Sequence, residues 1–296
     1  MVKSFVTIII PTYNDWDRLP LCIKALSMQT YPKELFHVII VNNNPCDKVP
    51  TDLFLPENFQ LITESKPGSY AARNTALKIA EGEIIGFTDS DCIPDKEWIR
   101  NAVYHFNSDS TCARIAGKIL VFPKTKRATV AGNYDKLYAF RQKEYVELYG
   151  TSVTGNLFTR KYVFDAIGPF NDTKMSFSDF VWGSKAQRAG YRIDYMESVL
   201  VKHPARNLSE LIKKEKRLAG GREKIAKQQL DKFAVYCKFL DEIRPRIRGE
   251  YKYIMDKGTF LTSLEKLSVM LLRIRLIYVR AYENLNLRLG KKPDRF

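Results

Sequence analysis

The sequence has little of what would assign it at once to a common class of protein. Its five cysteines are scattered and none forms a C-x-x-C pair, which indicates free thiols in a reducing compartment rather than a disulfide framework. No G-x-G-x-x-G follows the first predicted strand, which argues against a dinucleotide-dependent oxidoreductase. Internal repeats and low-complexity segments are also missing, so a solenoid or a disordered chain is not indicated.

The sequence also lacks an apolar run long enough to cross a bilayer, which needs about 20 residues. Its most apolar late stretch, "SVMLLRIRLIYV", is interrupted by Arg273 and Arg275. The opening "FVTIII" runs into Pro11 and therefore predicts a first strand rather than a signal peptide. We expect a cytoplasmic chain, either free or peripheral on the inner face of the plasma membrane.

Positive charge is concentrated near the end of the sequence. The 296 residues carry a net charge of +15, and residues 204–296 hold 23 Lys and Arg against 11 Asp and Glu, which accounts for +12. A basic surface attracts anionic lipid, nucleic acid or another polyanion. No nucleic-acid-binding motif is present, and acids in a crevice would repel phosphate without a metal, so we expect no nucleic-acid partner.

The first third of the chain alternates predicted strands with predicted helices. The strands are apolar throughout, which indicates an α/β fold with a mainly parallel central sheet and helices on both faces. Polar clusters at 12–15, 42–44 and 89–91 follow three of these strands. Ligands bind outside the carboxyl ends of parallel strands, so the three clusters should meet in one crevice.

Later in the chain the pattern becomes mixed and then helical. "YRIDY" and "SVLVKH" predict two short strands, and apolar residues at helical spacing follow from 208 to 240. A second series steps by four and three residues, like a coiled-coil seam: Phe260, Leu264, Leu267, Leu271, Ile274 and Tyr278. We therefore predict a catalytic domain over 1–203 and a basic helical extension over 204–296. Two long helices would form this extension, packed together, on the main domain or in a homodimer.

Asp89 and Asp91 follow a predicted buried strand and stand one residue apart. Two such carboxylates disfavour each other's ionisation unless a cation lies between them. Mg²⁺ and Mn²⁺ take carboxylate oxygens and commonly keep substrate phosphate among their other ligands, so a nucleotide diphosphate would suit the site. On spacing alone, an ordinary surface turn after a strand explains the pair at least as well.

Several blocks carry a resemblance to a known family. "FVTIIIPTYND", "VIIVNNN", "ESKPGSYAARNTALKIAEGEIIGFTDSDCIPDKEWI" and "TGNLFTR…IGPFND…SFSDFVWGSKAQRAGYRIDY…VLVKH" come in this order and together resemble the family 2 glycosyltransferases of bacterial, inverting type, which have the GT-A fold. The resemblance covers residues 4–203. It implies metal-dependent transfer of a sugar from a nucleotide-diphosphate donor to a saccharide or lipid-linked acceptor, in cell-envelope or surface polysaccharide synthesis. A UDP-sugar is the first expectation for the donor, with GDP- and dTDP-sugars as alternatives.

The resemblance also implies roles for individual residues. Asp179 would be the catalytic base, and Asp91, Asp89 and His203 would bind Mn²⁺ or Mg²⁺. The residues implied to bind the nucleotide and donor are Pro11, Thr12, Tyr13, Asn42, Lys66, Gly68, Arg73, Asn74, Asp89 and Ser90. Those implied to border the sugar and the acceptor are Gly155, Asn156 and Trp182.

Alternatives stay open at several of these positions. Asp179 could instead cap the helix that follows, Trp182 could be a core residue, and His203 could be purely structural. Asn42 stands where the family often has Asp, and Ser178 where it usually has Glu. These departures leave room for a non-catalytic nucleotide-sugar-binding homologue or a polyanion-binding protein. The basic helices would suit an anionic membrane surface, an oligomer interface or simple packing.

Overall fold

The computed structural model describes residues 3–125, 127–223, 232–244 and 246–291. The chain divides into two units. The first comprises Met1–Leu120, Phe140–Lys174 and Ser178–His203, and the second comprises Val121–Ala139, Met175–Phe177 and Pro204–Phe296. The predicted single boundary at 203/204 therefore differs from this grouping by two short segments, and the assignment of a function to each part stays a prediction.

One half of the sheet is parallel, as predicted. Its strands are β1 (Val6–Thr12), β2 (Phe36–Asn42), β3 (Phe59–Thr63) and β4 (Ile84–Thr88), in the order β3-β2-β1-β4. All seven residues of β1 are buried. Because β1 has a partner on each side and helices cover both faces, its sequence is apolar without alternation.

The other half of the sheet contains antiparallel pairs. It is formed by β5 (Ile93–Pro94), β6 (Arg114–Phe122), β7 (Asn156–Arg160) and β8 (Ile193–Pro204), and the full order is β3-β2-β1-β4-β7-β6-β8-β5. β7 runs antiparallel to both β4 and β6. The two short strands predicted from "YRIDY" and "SVLVKH" form one continuous strand, β8.

Helices cover both faces of the sheet. The first seven helices of the chain are α1 (Leu19–Ser27), α2 (Ser69–Ile79), α3 (Trp98–Ser108), α4 (Val130–Tyr138), α5 (Gln142–Tyr149), α6 (Lys161–Ile167) and α7 (Ser178–Arg188). Of these, α4 belongs to the second unit and the others to the first. Successive residues of a strand point to opposite faces, so Ile8 and Ile10 join one apolar cluster, with Trp98, while Ile9 joins the other, with Phe87. These two clusters confirm the predicted three-layer architecture.

The second unit contains α4 and four later helices within the described residues. These are α8 (Leu208–Glu223), α9 (Lys232–Ile243), α10 (Ile247–Lys257) and α11 (Ser263–Arg288). The expectation of two long helices is therefore wrong in number, although residues 224–231 of the first predicted helix lie outside the described part of the chain. Thr262 and Glu265 form a capping box that starts α11, which explains its sharp beginning.

The longest helix among the described residues, α11, buries a different face from the predicted one. Val269, Leu272 and Leu276 lie in the core of the second unit. The predicted seam lies on the other side, with Leu264 78% exposed and Leu271 60% exposed. Apolar spacing shows which residues share a helical face, but when two faces are apolar it does not show which one is covered.

No helix in the described part of the chain combines the length and the hydropathy needed to span a bilayer.

Candidate active site

Side chains from three strand ends meet in the first unit, as the strand-end rule predicts. The Ser90 hydroxyl, after β4, donates to Oδ2 of Asp15, after β1, over 2.6 Å. The Asn44 amide, after β2, donates to Oδ1 of Asn14 over 2.7 Å. These contacts confirm that the three polar clusters lie side by side, at the place where the crevice is predicted.

Asp89 is held by a buried arginine. Arg73 lies on α2, is only 3% exposed, and its Nη2 is 2.6 Å from Oδ1 of Asp89. Its Nε donates to no group in the described part of the protein. A guanidinium with a remaining buried donor can hold the carboxylate and still offer a hydrogen bond to an anionic ligand.

Asp91 faces two nitrogen groups through a single oxygen. Arg18 Nη1 lies 3.1 Å and His203 Nε2 lies 3.3 Å from Oδ2 of Asp91. Arg18 also pairs with Asp15 through its Nε. Burial raises the pKa of the Asp15 carboxyl, while hydrogen bonds from Ser90 and Arg18 oppose that rise. Sequence reasoning missed Arg18 because its contact with Asp91 joins residues 73 positions apart.

The donor atoms around Asp91 fit a hard divalent ion. Ligand atoms of Asp91, Cys92 and His203 all lie within 4.8 Å of one another. Carboxylate oxygen and imidazole nitrogen are donors that Mn²⁺ accepts, and Mg²⁺ takes the oxygen. The thiol of Cys92 is a soft donor, which suits zinc or copper(I) better than Mn²⁺ or Mg²⁺, so Cys92 is left out of this donor set. The guanidinium of Arg18, 3.1 Å from Oδ2 of Asp91, already places a positive charge beside this carboxylate.

Asp179 is oriented by groups from α2 and from the loop before β7. It lies in the first turn of α7, where the Tyr70 hydroxyl donates to its Oδ1 over 2.8 Å. The Thr154 backbone N–H donates to Oδ2 over 3.2 Å. Burial, and then the charge of Asp179, raises the pKa of Tyr70 well above its ordinary value, so the phenol stays protonated and remains a donor. Sequence reasoning missed Tyr70, because its contact with Asp179 joins residues 109 positions apart.

Thr154 and Gly155 link Asp179 to the Asp-x-Asp pair. Thr154 contacts Asp179, and the carbonyl of the adjacent Gly155 accepts a hydrogen bond from Thr88 over 3.2 Å. A Cβ atom at position 155 would lie 3.2 Å from Oδ2 of Asp89, closer than an ordinary contact. Asp179 and Asp89 therefore flank the same two-residue segment.

Two asparagines predicted to bind the donor or border the acceptor have their polar groups engaged in the fold. Asn156 is fully buried, accepts a hydrogen bond from the Trp98 indole over 2.9 Å and donates to the Val199 carbonyl. Asn74 donates to the Phe170 carbonyl and accepts from the Phe170 N–H. Both side chains thus have a structural role, and their roles towards the donor and the acceptor stay predictions.

Trp182 lies in the core, which the sequence left open as an alternative to a place at the acceptor. Its ring stacks on Phe164 with centroids 4.4 Å apart, and its indole N–H donates to the Gly168 carbonyl over 2.9 Å. The side chain is buried in the core. The alternative of core packing accounts for Trp182 completely.

The predicted nucleotide loop combines buried and exposed groups. Pro11 and Thr12 end β1 and are buried, and the Thr12 hydroxyl has no partner among the described residues. Tyr13 is exposed, so its ring is available to stack on a ligand. Asn42 is buried, and its Oδ1 accepts from the Asn44 N–H over 3.0 Å.

Two further predicted residues lie in the loop before α2. Lys66 is half-exposed and pairs with Asp172 over 2.7 Å. Gly68 has a φ of 121°, a conformation that favours glycine, and its N–H donates to Oδ1 of Asn43 over 2.7 Å. Lys66 can exchange its partner for a ligand, whereas Gly68 shapes the loop.

The family model for glycosyl transferase family 2 matches residues 7–168. Glycosyltransferase AglE of Haloferax volcanii is 34% identical over 222 residues, covering 73% of this chain and 72% of AglE. The O-antigen chain rhamnosyltransferase RfbN of Salmonella typhimurium is 29% identical over 209 residues, covering 67% of this chain and 66% of RfbN.

Solved structures agree on the fold. Mannosyltransferase PcManGT of Pyrobaculum calidifontis, in complex with GDP-Man and Mn²⁺, matches with a TM-score of 0.62 at 17% identity, over 96% of this chain and 88% of PcManGT. S. aureus TarS 1-349 in complex with UDP-GlcNAc matches with a TM-score of 0.54 at 17% identity, over 98% of this chain and 93% of TarS 1-349. The chain has the GT-A fold and belongs to glycosyl transferase family 2.

Proposed function

We propose that this glycosyltransferase is metal-dependent and inverts the configuration at the sugar it transfers. The observation that carries the proposal is the position of Asp179 and Asp89 on either side of Thr154 and Gly155. A carboxylate suited to removing a proton thus lies in one crevice with a cation-binding pair. Acceptor activation and donor diphosphate binding require these two groups.

Asp179 supplies the base in this mechanism. The acceptor hydroxyl oxygen attacks C1 of the sugar, and its proton passes to the Asp179 carboxylate. The bond between C1 and the diphosphate oxygen breaks, and the nucleoside diphosphate leaves with the electron pair. One displacement gives one inversion. Tyr70 and Thr154 hold the carboxylate throughout, because the Tyr70 phenol stays protonated and cannot compete for the proton.

Positively charged groups of the chain bind the departing diphosphate. Arg73 offers a buried N–H and Arg18 a half-exposed guanidinium on the Asp-x-Asp side of the crevice. Asp91 and His203, with Asp89, would hold Mn²⁺ or Mg²⁺, which when bound supplies further neutralisation of the diphosphate charge.

For the donor we propose a UDP-sugar first, with GDP- and dTDP-sugars as alternatives. The solved relatives hold both GDP-Man and UDP-GlcNAc, which supports the class of donor and leaves the base open. The buried Asn42 can accept or donate a hydrogen bond to a base.

For the acceptor we propose a saccharide or lipid-linked hydroxyl, in cell-envelope or surface polysaccharide synthesis. The names of RfbN, an O-antigen chain rhamnosyltransferase, and of the diphosphoundecaprenol glucosyltransferase WfgD of Escherichia coli support this. We place the reaction in the cytoplasm, at the inner face of the plasma membrane, with an anionic membrane surface or a homodimer as partners of the C-terminal helices.

A non-catalytic nucleotide-sugar binder is the second candidate. Ser178 favours it, since a hydroxyl replaces the family's usual acid, and this hydroxyl is buried without a partner in the described part of the chain. Calorimetric binding of nucleotide sugars without any release of nucleoside diphosphate would support this candidate.

The test of the proposed function is a panel of nucleotide sugars with Mn²⁺, scored first by thermal shift and then by release of nucleoside diphosphate with candidate acceptors. Asp91→Ala and Asp179→Ala should each abolish turnover with the substrates so identified. Full turnover in both variants would overturn the assignment.

A further inference from the structure

The helix α11 carries a continuous apolar face that no described residue covers. Along its 26 residues, five large apolar side chains separated by three, four or seven positions are exposed on one side, and Leu289, the residue after the helix, continues the row. With Arg275 they make up the outer face of α11: Leu264, Leu267, Leu271, Arg275, Tyr278, Tyr282 and Leu289.

The outer face exposes a row of large apolar side chains, whereas most exposed apolar residues of soluble proteins are isolated. A helix of this length extends over about 39 Å. Soluble proteins commonly expose isolated apolar side chains, but a contiguous patch marks a site of interaction. The opposite side of α11 is already packed, through Val269, Leu272 and Leu276, so the outer face is not needed for the fold.

The one charged side chain on the outer face is an arginine. Arg275 is exposed and forms no ion pair with any described carboxylate, whereas the other arginines of α11 are paired: Arg273 with Glu250, Arg280 with Glu215 and Arg288 with Glu242. A positive charge among leucines and tyrosines requires an anion when the surrounding apolar surface is covered.

An apolar groove adjoins Arg275. It has a volume of about 540 Å³ and is lined by Leu271, Leu272 and Arg275 of α11, with Val130 and Leu208 from α4 and α8. The groove therefore combines aliphatic walls with a guanidinium at its side. An alkyl chain attached to a phosphate matches that combination.

These features distinguish between the possible occupants. In a two-fold pairing of outer faces, Arg275 would be covered by apolar side chains and a second positively charged copy. Residues 204–296, which carry a net +12, would also approach their counterpart. An anionic lipid surface supplies both the apolar layer and the phosphate.

We propose that the outer face of α11 docks on an anionic lipid surface. The leucines and tyrosines enter the boundary between headgroups and acyl chains, Arg275 binds a lipid phosphate, and the groove holds an acyl chain. Docking would bring the active site to a lipid-linked acceptor, and this consequence rests on the proposed function. The docking itself requires no sugar transfer.

The test is flotation of the full chain with vesicles, without nucleotide or acceptor. Vesicles of phosphatidylcholine with phosphatidylglycerol should carry the protein, and pure phosphatidylcholine should not. The double variant Leu267→Ser/Leu271→Ser should lose flotation, and Arg275→Gln should reduce it about fivefold, as expected for one basic residue at an anionic surface. Leu148→Ser, at an exposed leucine of α5 in the first unit, is the matched control and should float normally.

Three results would overturn the proposal. The first is failure of the parent protein to bind either vesicle, and the second is unchanged flotation of the double variant. The third is a dimer in light scattering without lipid that the double variant converts to monomer, which would assign the outer face to a second copy. Because all substituted side chains are exposed, circular dichroism and unfolding midpoints should be unchanged. Loss of catalysis in active-site variants would leave flotation intact, so the two proposals fail separately.

Discussion

The crevice of the first unit and the outer face of α11 in the second unit differ in whether their side chains have partners within the same unit. In the crevice, Asp89, Asp91 and Asp179 each have hydrogen-bonding or charged neighbours within the same unit. On the outer face, the leucines and tyrosines are exposed to solvent, and no described residue covers them. A polar site is useful when its groups are fixed before the ligand arrives, whereas exposed apolar surface is useful only when something else covers it. The acids of the crevice are therefore held in place by their own unit, whereas the outer face of α11 needs a partner from outside the described chain to cover it.

The largest effect expected is at the base. Asp179→Asn should lower kcat by about 10³-fold, because general base catalysis contributes roughly 10²- to 10⁴-fold, while donor affinity stays the same. Nucleoside diphosphate release measures the first quantity and calorimetry the second. Asp165→Asn, an exposed acid on α6, is the control and should behave as the parent. An Asp179→Asn variant with parental kcat would remove Asp179 from the mechanism.

The next effect tests whether Tyr70 holds the Asp179 carboxylate in position before the substrate binds. Tyr70→Phe removes the hydroxyl that holds Oδ1 of Asp179 and leaves the buried ring in place. We expect kcat to fall about tenfold with KM for the donor unchanged, since misplacement of a catalytic group affects the chemical step more than binding. If KM rose instead and kcat held, Tyr70 would serve donor binding rather than the base.

A smaller effect concerns the internal partner of Asp91. Arg18→Gln removes a guanidinium that lies 3.1 Å from the Asp91 carboxylate, and so removes a competitor for a bound cation. Mn²⁺ affinity without nucleotide should rise by up to about fivefold, the worth of a partly exposed ion pair. Electron paramagnetic resonance of free Mn²⁺ gives the affinity directly. Arg100→Gln, which breaks an exposed pair with Glu97, should leave it unaltered. Weaker Mn²⁺ binding by Arg18→Gln would contradict the competition.

The smallest effect is expected for substitutions on the outer face of α11. Leu267→Ser/Leu271→Ser should leave kcat and KM unchanged with a water-soluble acceptor, because the outer face of α11 belongs to the second unit and the base to the first. The same assay on an acceptor embedded in anionic vesicles should show a loss. Equal loss with both acceptors would mean that the substitutions disturb the crevice itself.

The sequence predicted the parallel half of the sheet because continuous apolar strands separated by helices have few other solutions. It did not predict the antiparallel half, since burial along β7 does not encode the direction of its neighbours. The two predicted late strands are one, because the sequence between them continues the extended backbone of β8.

At the candidate site, sequence reasoning located the crevice and its acids but not what holds them. Asp89 and Asp91 were visible as a pair at a strand end. Tyr70 and Arg18 were not, because their contacts with Asp179 and Asp91 cross 109 and 73 residues of chain. A local pattern carries no record of such distant pairs. For the same reason, the buried networks around Asn156 and Trp182 could not be told from binding roles.

Gly155 has a consequence for attempts to change what this enzyme transfers. Any side chain there would begin 3.2 Å from Oδ2 of Asp89, so the Asp89 carboxylate would have to move by a few tenths of an ångström, and substitutions at this position should alter turnover. Tyr13, exposed at the edge of the same crevice, meets no such barrier. We therefore expect specificity to be changed more readily at Tyr13 than at Gly155, where each substitution also shifts the Asp89 carboxylate.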